Sequence, residues 1–242
     1  MAANTYSTNL VGSSSQAFSA TDHADFKPTG NFTVGTWVKG TGNSQFLMQS
    51  MYFGAAYGGW YVQLKSTGAI QFFSGRNNGT THAVNWDTAD STGTVNDGNW
   101  HWVVCVWDGS YLRIYIDGTP DGSTSWANAP GYNATNYVRI GCECDTGSNT
   151  AFFAGNLDET FIVNGTAWDL ATVQSYYQKV VTGATNLVAY YRFENNNNDS
   201  TAGAHTLTSI ATPTFQLDVP FTGITTNYLK NYRANTGGRL SF

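Results

Sequence analysis

Few residues in this chain have the chemistry to act on a substrate or hold an ion. The four histidines (His23, His82, His101 and His205) are scattered along the sequence, and so are the cysteines Cys105, Cys142 and Cys144. No run combines enough of either to read as a metal site. Cys142 and Cys144 flank one residue on a probable strand, where a bond between them would be strained, so buried free thiols are expected. Retaining glycoside hydrolysis needs two carboxylates about 5 Å apart. The adjacent pair in "LDETF", Asp158 and Glu159, should point to opposite faces of a strand and so cannot supply it. A nucleophile elbow, a phosphate loop and a dinucleotide fingerprint are all missing. The chain reads as a non-enzyme.

Binding chemistry is better represented. Aromatics make up 15% of the chain and charged residues only 11%. An exposed indole or phenol ring can stack on the apolar face of a sugar while amides and carboxylates meet its hydroxyls. Trp60, Trp86, Trp126 and Tyr132 are candidates for the ring, with Asn77, Asn78 and Asn128 beside them. Trp86 and Trp126 lie in polar stretches and are the preferred pair. Trp37, Trp100 and Trp102 read as core. No Lys/Arg run exists to meet a phosphate backbone, which argues against nucleic acid. No apolar stretch approaches the length of a membrane span.

These side chains must be positioned by strands. Of the sixteen acidic residues thirteen are Asp and three Glu, a bias that favours turns over helices. "NFTVGTWVKG" (31–40) alternates as a strand. "SQFLMQSM", "WYVQLKS" and "AIQFFSGRN" look like successive antiparallel strands. "WHWVVCVWDGSYLRIYIDGTPDG" (100–122) is a hairpin turning at Asp108-Gly109, and both its faces are largely apolar. Residues 76–99 read as a long polar loop or short strands with wide turns. Further strands follow at 136–145 and 151–165, and one helix is predicted over 167–181 with Gly183 as a cap. Roughly twelve strands and one helix give an all-β, two-sheet antiparallel sandwich. The sandwich is expected over residues 1–212. Residues 213–242, with Lys230, Arg233 and Arg239, read as a C-terminal extension or docking arm.

Four stretches in order carry a resemblance: "GSSSQAFSATDHADFKPTGNFTVGTWVK", "GNWHWVVCVWDGSYLRIYIDGTPDG", "FAGNLDETFIVNGTAWDLATVQSYY" and "LVAYYRFENNNNDSTAGAHTLT". Together they resemble the concanavalin A-like lectin/glucanase superfamily, in particular its laminin-G-like jelly rolls. The resemblance implies two curved sheets packed face to face. It also suggests that Asp158 and Asp199, helped by Asn156, hold a structural calcium ion; ordinary Asx turns are the competing reading of these residues. The family's enzymes use Glu-x-Asp-x-x-Glu, whereas here Ser148 stands where the second Glu would follow Glu143 and Asp145. Gly35 replaces a frequent acidic position, allowing a bulge or a close contact with another chain.

Two functional classes are expected. The first is a structural or recognition protein on the surface of an assembled particle such as a virion, as a capsid decoration or tail component. Its partners would be particle or homo-oligomer subunits, and glycan binding would be an added property. The second is a carbohydrate-binding module or lectin, placed outside the cell by a route without a conventional signal peptide, because "MAANTYSTNLVGSSSQAF" lacks a charged n-region and an apolar h-region.

Overall fold

A computed structural model describes residues 3–52, 58–76, 86–133, 136–145 and 147–222. Two antiparallel sheets and a short hairpin make up the fold. The eight-stranded sheet contains β1 (Ser7–Leu10), β3 (Phe32–Gly40), β8 (His101–Trp107), β9 (Tyr111–Ile116), β10 (Thr119–Ser125), β14 (Gly155–Asn164), β15 (Leu187–Tyr191) and β17 (Thr214–Gln216). Its order is β10-β9-β8-β3-β14-β1-β17, with β15 paired along the second half of β14. The seven-stranded sheet contains β2 (Ala17–Ala20), β4 (Gln45–Tyr52), β5 (Gly58–Leu64), β6 (Ala69–Gly75), β7 (Trp86–Thr94), β11 (Tyr137–Ile140) and β16 (Thr208–Ile210). Its order is β16-β2-β11-β4-β5-β6-β7. The hairpin pairs β12 (Glu143–Asp145) with β13 (Ser148–Thr150). This is the expected jelly-roll sandwich, with more strands than the sequence suggested.

The hairpin of β8 and β9 shows why the sequence folds this way. Asp108 closes its first turn by accepting from the Ser110 and Tyr111 amides at 2.9 and 2.7 Å. The next turn, from β9 to β10, places Asp117 and Gly118 at φ of 53° and 78°, the left-handed pair that a type I′ turn requires. β8 is apolar on both faces because each face has its own core. Val103, Cys105 and Trp107 enter the cluster between the sheets. Trp102, Val104 and Val106 enter a second cluster on the outer side of the eight-stranded sheet, with Trp37, Phe161 and Trp168.

The helix that roofs this second cluster, α1, runs only from Leu170 to Tyr176. Asp169 caps it, accepting from the Thr172 amide at 2.8 Å. The predicted helix over 167–181 is too long: Gln178 adopts φ of 59°, so the chain turns away well before Gly183. Ring stacking fixes the roof, with Trp168 4.9 Å from both Phe161 and Tyr176. Gly35 is explained from within the chain, since a Cβ there would meet the Phe161 ring at 2.6 Å and the Val103 carbonyl at 2.8 Å.

Two other expectations change. The polar stretch around Trp86 is an edge strand, β7, paired to β6 from Ala69↔Thr94 to Gly75↔Trp86. The boundary at 212 moves too. β17 pairs with β1, and Asp218 accepts from Lys39, Trp100 and Ser7 through its side chain and carbonyl. Phe221 lies in the second core cluster. The sandwich therefore continues through Phe221, and of the expected arm residues 223–242 lie outside the described residues.

Candidate functional site

The seven-stranded sheet has an inner face in the main core and an outer face of different character. Alternation along β5 sends Trp60, Val62 and Leu64 inward and Tyr61 and Gln63 outward; along β6 it sends Ile70 and Phe72 inward and Gln71 and Phe73 outward. Register then builds rows across the outer face. One row is Gln49, Tyr61, Phe73, Thr88, and the next holds Gln63, Gln71, Asp90. Tyr61 and Phe73 stack at 4.6 Å, nearly parallel at 6°. At the end of this stack stands Trp86, 45% exposed, with its ring 5.6 Å from that of Phe73. Its direct neighbours across the sheet, Gly75 and beyond it Gly59, have no side chain. The indole therefore has room to lie diagonally over Phe73.

Beside the ring runs a chain of polar groups. Tyr61 Oη donates to Gln71 Oε1 at 3.0 Å, and Gln71 Nε2 donates to Asp90 Oδ1 at 3.0 Å. Lys65 Nζ pairs with the other Asp90 oxygen. The β12–β13 hairpin covers the opposite half of the face. It is held by Gln49, which exchanges two hydrogen bonds with the Cys144 backbone at 3.2 and 3.3 Å, and by Arg139, whose Nε reaches Asn149 at 2.8 Å. Among the described residues the other half presents the Trp86 indole, backed by the buried Phe73 and Tyr61 and flanked by amides and a carboxylate, which is the composition of a site for a flat, hydroxyl-rich ligand. Clefts of about 290 and 280 Å³ lie elsewhere, one beside Arg113 and Asp121 and the other beside Trp168 and Asp169. Neither contains an exposed aromatic platform, and the Trp86 face is the better candidate on chemical grounds.

Of the binding residues expected from sequence, Trp86 is exposed and Trp126 is buried. Trp126 is 9% exposed and belongs to the main core. Its amide donates to the Ser110 carbonyl and its own carbonyl accepts from Trp107 Nε1, so the residue plugs the end of the sandwich. Trp60 is buried too, donating from Nε1 to the Phe26 carbonyl. Asn128 is half-buried and accepts from Arg76 at 3.3 Å. Arg76 follows Gly75, the register partner of Trp86, so Asn128 and Trp86 gather at one end of β6. Asn77 and Asn78 lie outside the described residues. Sequence reasoning missed Phe73, Gln71 and Asp90, although the strict alternation of "AIQFF" already turns Gln71 and Phe73 to one face.

The expected calcium ligands do not converge. Asp199 Oδ1 accepts from the Tyr190 and Thr201 amides, and Oδ2 accepts from Thr201 Oγ1 and the His205 amide, all between 2.9 and 3.0 Å. Both oxygens are thus spent on closing their own loop, as an Asx turn does. Asn156 donates to Ser7 Oγ at 3.2 Å. Asp158 sits in a different network, accepting from Asn4 Nδ2 at 2.9 Å and from the Glu159 amide at 2.8 Å. Among the described residues the three share no hydrogen-bond partner, so as arranged they do not fit one hard cation that wants six to eight oxygens.

Asp158 and Glu159 also correct an expectation of their own. Glu159 has φ of 48° in a bulge between Asp158 and Phe161, which breaks the alternation that would have separated them. Both are fully buried. Arg192 Nε meets Glu159 Oε1 at 3.1 Å, while its Nη2 meets the Ala3 carbonyl at 2.9 Å and Glu194 at 3.4 Å. The guanidinium is the cation of this network. Burial pushes Glu159 up to about 8, against the pull of Arg192. Burial, reinforced by Glu159, holds Asp158 well above the ordinary carboxylate range. Glu143 and Ser148 stand on different strands, so the glycanase-like spacing does not even share one strand. All three cysteines are buried free thiols, as expected, and burial lifts Cys142 to about 12.

The family model described as "Concanavalin A-like lectin/glucanases superfamily" matches residues 12–174. This chain belongs to that superfamily. A putative carbohydrate-binding protein from Bacteroides ovatus superposes with a TM-score of 0.65 at 13% identity, over 91% of this chain and 62% of the other. This chain thus spans less than two thirds of that protein. A heptameric SAP-like pentraxin from Limulus polyphemus gives 0.58 at 12% identity, covering 90% and 97%. The CBM40 of a Ruminococcus gnavus sialidase, also solved with alpha2,3 sialyllactose, gives 0.56 at 10% identity, covering 73% and 100%. A search of curated proteins returned no match.

Proposed function

We propose that the protein is a non-catalytic carbohydrate-binding module and that glycan docks on the outer face of the seven-stranded sheet at its Trp86 end. The observation that carries this reading is one exposed indole, 45% accessible, lying over a stacked Phe73–Tyr61 pair with Gln71 and Asp90 alongside. Trp86 supplies the stacking ring. Gln71 and Asp90 supply an amide and a carboxylate for ring hydroxyls, and Arg76 with Asn128 extends the polar rim. The carbohydrate-binding names among the structural neighbours support the ligand class, and the Trp86 platform supports the surface. The same chemistry would serve on an assembled particle. Co-sedimentation with particles, set against a monomer in solution, separates that setting from a free secreted module.

The test is a glycan array and affinity electrophoresis with soluble polysaccharides on the wild type and Trp86→Ala. Retention by at least one glycan class, lost in Trp86→Ala with the melting temperature nearly unchanged, is expected. A wild type that binds no glycan, or a variant that binds as well as the wild type, overturns the reading.

A further inference from the structure

Histidines that stand 182 residues apart in the sequence meet in the fold. The rings of His23 and His205 lie with centroids 4.5 Å apart, and Asp25 stands between them. Asp25 Oδ2 is 2.6 Å from His205 Nε2 and 3.3 Å from His23 Nδ1. One ligand atom from each of the three residues falls within 4.8 Å of the others.

We propose that His23, Asp25 and His205 form a divalent transition-metal site, with zinc as its first occupant, that clamps the β2–β16 edge of the seven-stranded sheet. A tetrahedral zinc ion with bonds of about 2.0–2.2 Å holds its ligand atoms roughly 3.3 Å apart. The His23–Asp25 separation matches that figure, the His205–Asp25 separation is about 0.7 Å short of it, and the two imidazole atoms lie within 4.8 Å of each other, so closure needs shifts of about 1.5 Å or less. The donor set is two imidazole nitrogens and one carboxylate oxygen, which suits zinc, copper or nickel and not calcium. His23 Nδ1 accepts from the Asp25 amide at 3.2 Å, so it carries the lone pair that a metal needs, and the ion competes with that N–H. At His205, the ion takes the place of the direct contact between Nε2 and Asp25 Oδ2.

The ligands are held in place before any ion arrives. His23 is the N-cap of the short 3-10 turn Ala24–Phe26. The His205 amide donates to Asp199 Oδ2 at 3.0 Å, its carbonyl accepts from Tyr191 Oη at 2.9 Å, and its ring lies 4.9 Å from Phe26. The two bonds fix the His205 backbone, and the Phe26 contact limits its ring. Asp199, expected to ligate an ion itself, instead positions a residue that does. The His23 side chain is 52% exposed, which leaves the site open to an entering ion. β16 has only three residues and pairs with β2 alone, so a cross-link just beyond its start ties down the weakest strand of that sheet.

Zinc chloride is titrated into the tag-free, metal-stripped full chain by calorimetry, with thermal unfolding followed in parallel. One zinc per chain is expected, with a rise in melting temperature that calcium does not reproduce. His23→Ala and Asp25→Asn should each weaken zinc at least tenfold and abolish the rise, whereas His101→Ala leaves both intact. His205→Ala should do the same, but its ring also packs on Phe26, so the exposed His23 is the deciding position. Absence of zinc binding in the wild type, or affinity and stoichiometry unchanged in His23→Ala and Asp25→Asn, overturns the proposal. Neither result depends on the glycan reading.

Discussion

The outer faces of the two sheets are both aromatic, and they have opposite fates. Behind the eight-stranded sheet, Trp37, Trp102, Phe161 and Trp168 are all at most 4% exposed, because α1 and the segment after it lie over them. Behind the seven-stranded sheet, the β12–β13 hairpin covers only one half, and Trp86 stays in solvent at the other. Aromatic content therefore does not separate core from site in this molecule. What separates them is whether the chain supplies a cover. The covered face contributes stability, and the other leaves an indole in solvent, where the proposed glycan would dock.

Substitutions that cross the two faces test this division. Trp102→Ala should be the most damaging, costing about 3–5 kcal/mol in chemical denaturation, with glycan retention preserved wherever the variant remains folded. Equal damage to binding and to stability would argue that the faces are not independent. Trp86→Ala should show the converse: a loss of glycan affinity of about tenfold or more, since aromatic anchors carry much of a binding energy, and a stability change within about 1 kcal/mol.

A smaller effect is expected in the buried acid network on β14. Asp158 and Glu159 have folded-state values above their unfolded ones, so between those values the native state holds protons that the unfolded state has lost. Their influence is least unfavourable below about pH 4, near the unfolded values. Stability then falls as pH rises, through about 8 for Glu159. Asp158→Asn should flatten the decline in melting temperature between pH 5 and 9, and an unchanged slope would assign the decline elsewhere. The smallest effect is at His101, bonded to Asp117 at 2.8 Å and Asp97 at 3.1 Å. The Asp117 bond leads in raising its folded value, so its contribution is complete below the unfolded value and is lost as pH rises through the folded one. His101→Gln should remove that part of the profile, about 1 kcal/mol or less for a partly exposed pair.

What could be read in advance followed from local rules. The β8–β9 hairpin was legible because its alternation and its Asp-Gly turns are written within about twenty residues. The strand "LVAYYRFEN" divided as its alternation required, with Tyr191 and Phe193 in the main core and Tyr190 in the outer cluster. Non-local features were not legible. Trp126 sits in a polar run, and only its bonds to Ser110 and to Trp107 show that it is a plug. The bulge at Glu159 defeats a two-residue period that nothing in "LDETF" interrupts. Trp86 was picked out by its polar surroundings, but the platform beneath it depends on the register of β6 against β7. The meeting of His23 and His205 depends on the pairing of β2 with β16, which sequence spacing does not encode.

The pairing of β1 with β17 sets the order in which the molecule can be completed. Ser7 lies opposite Gln216, and the other neighbour of β1 is β14, beginning at Gly155. When translation has reached residue 150, β1 is therefore made and neither of its partners is. β3 at that stage has β8 on one side and an empty edge on the other. Closure waits for β14, the strand that joins β3, β1 and β15, and contacts so distant in sequence are slow to find. Until β14 is made the nascent chain exposes unpaired strand edges, the surfaces through which β proteins associate wrongly.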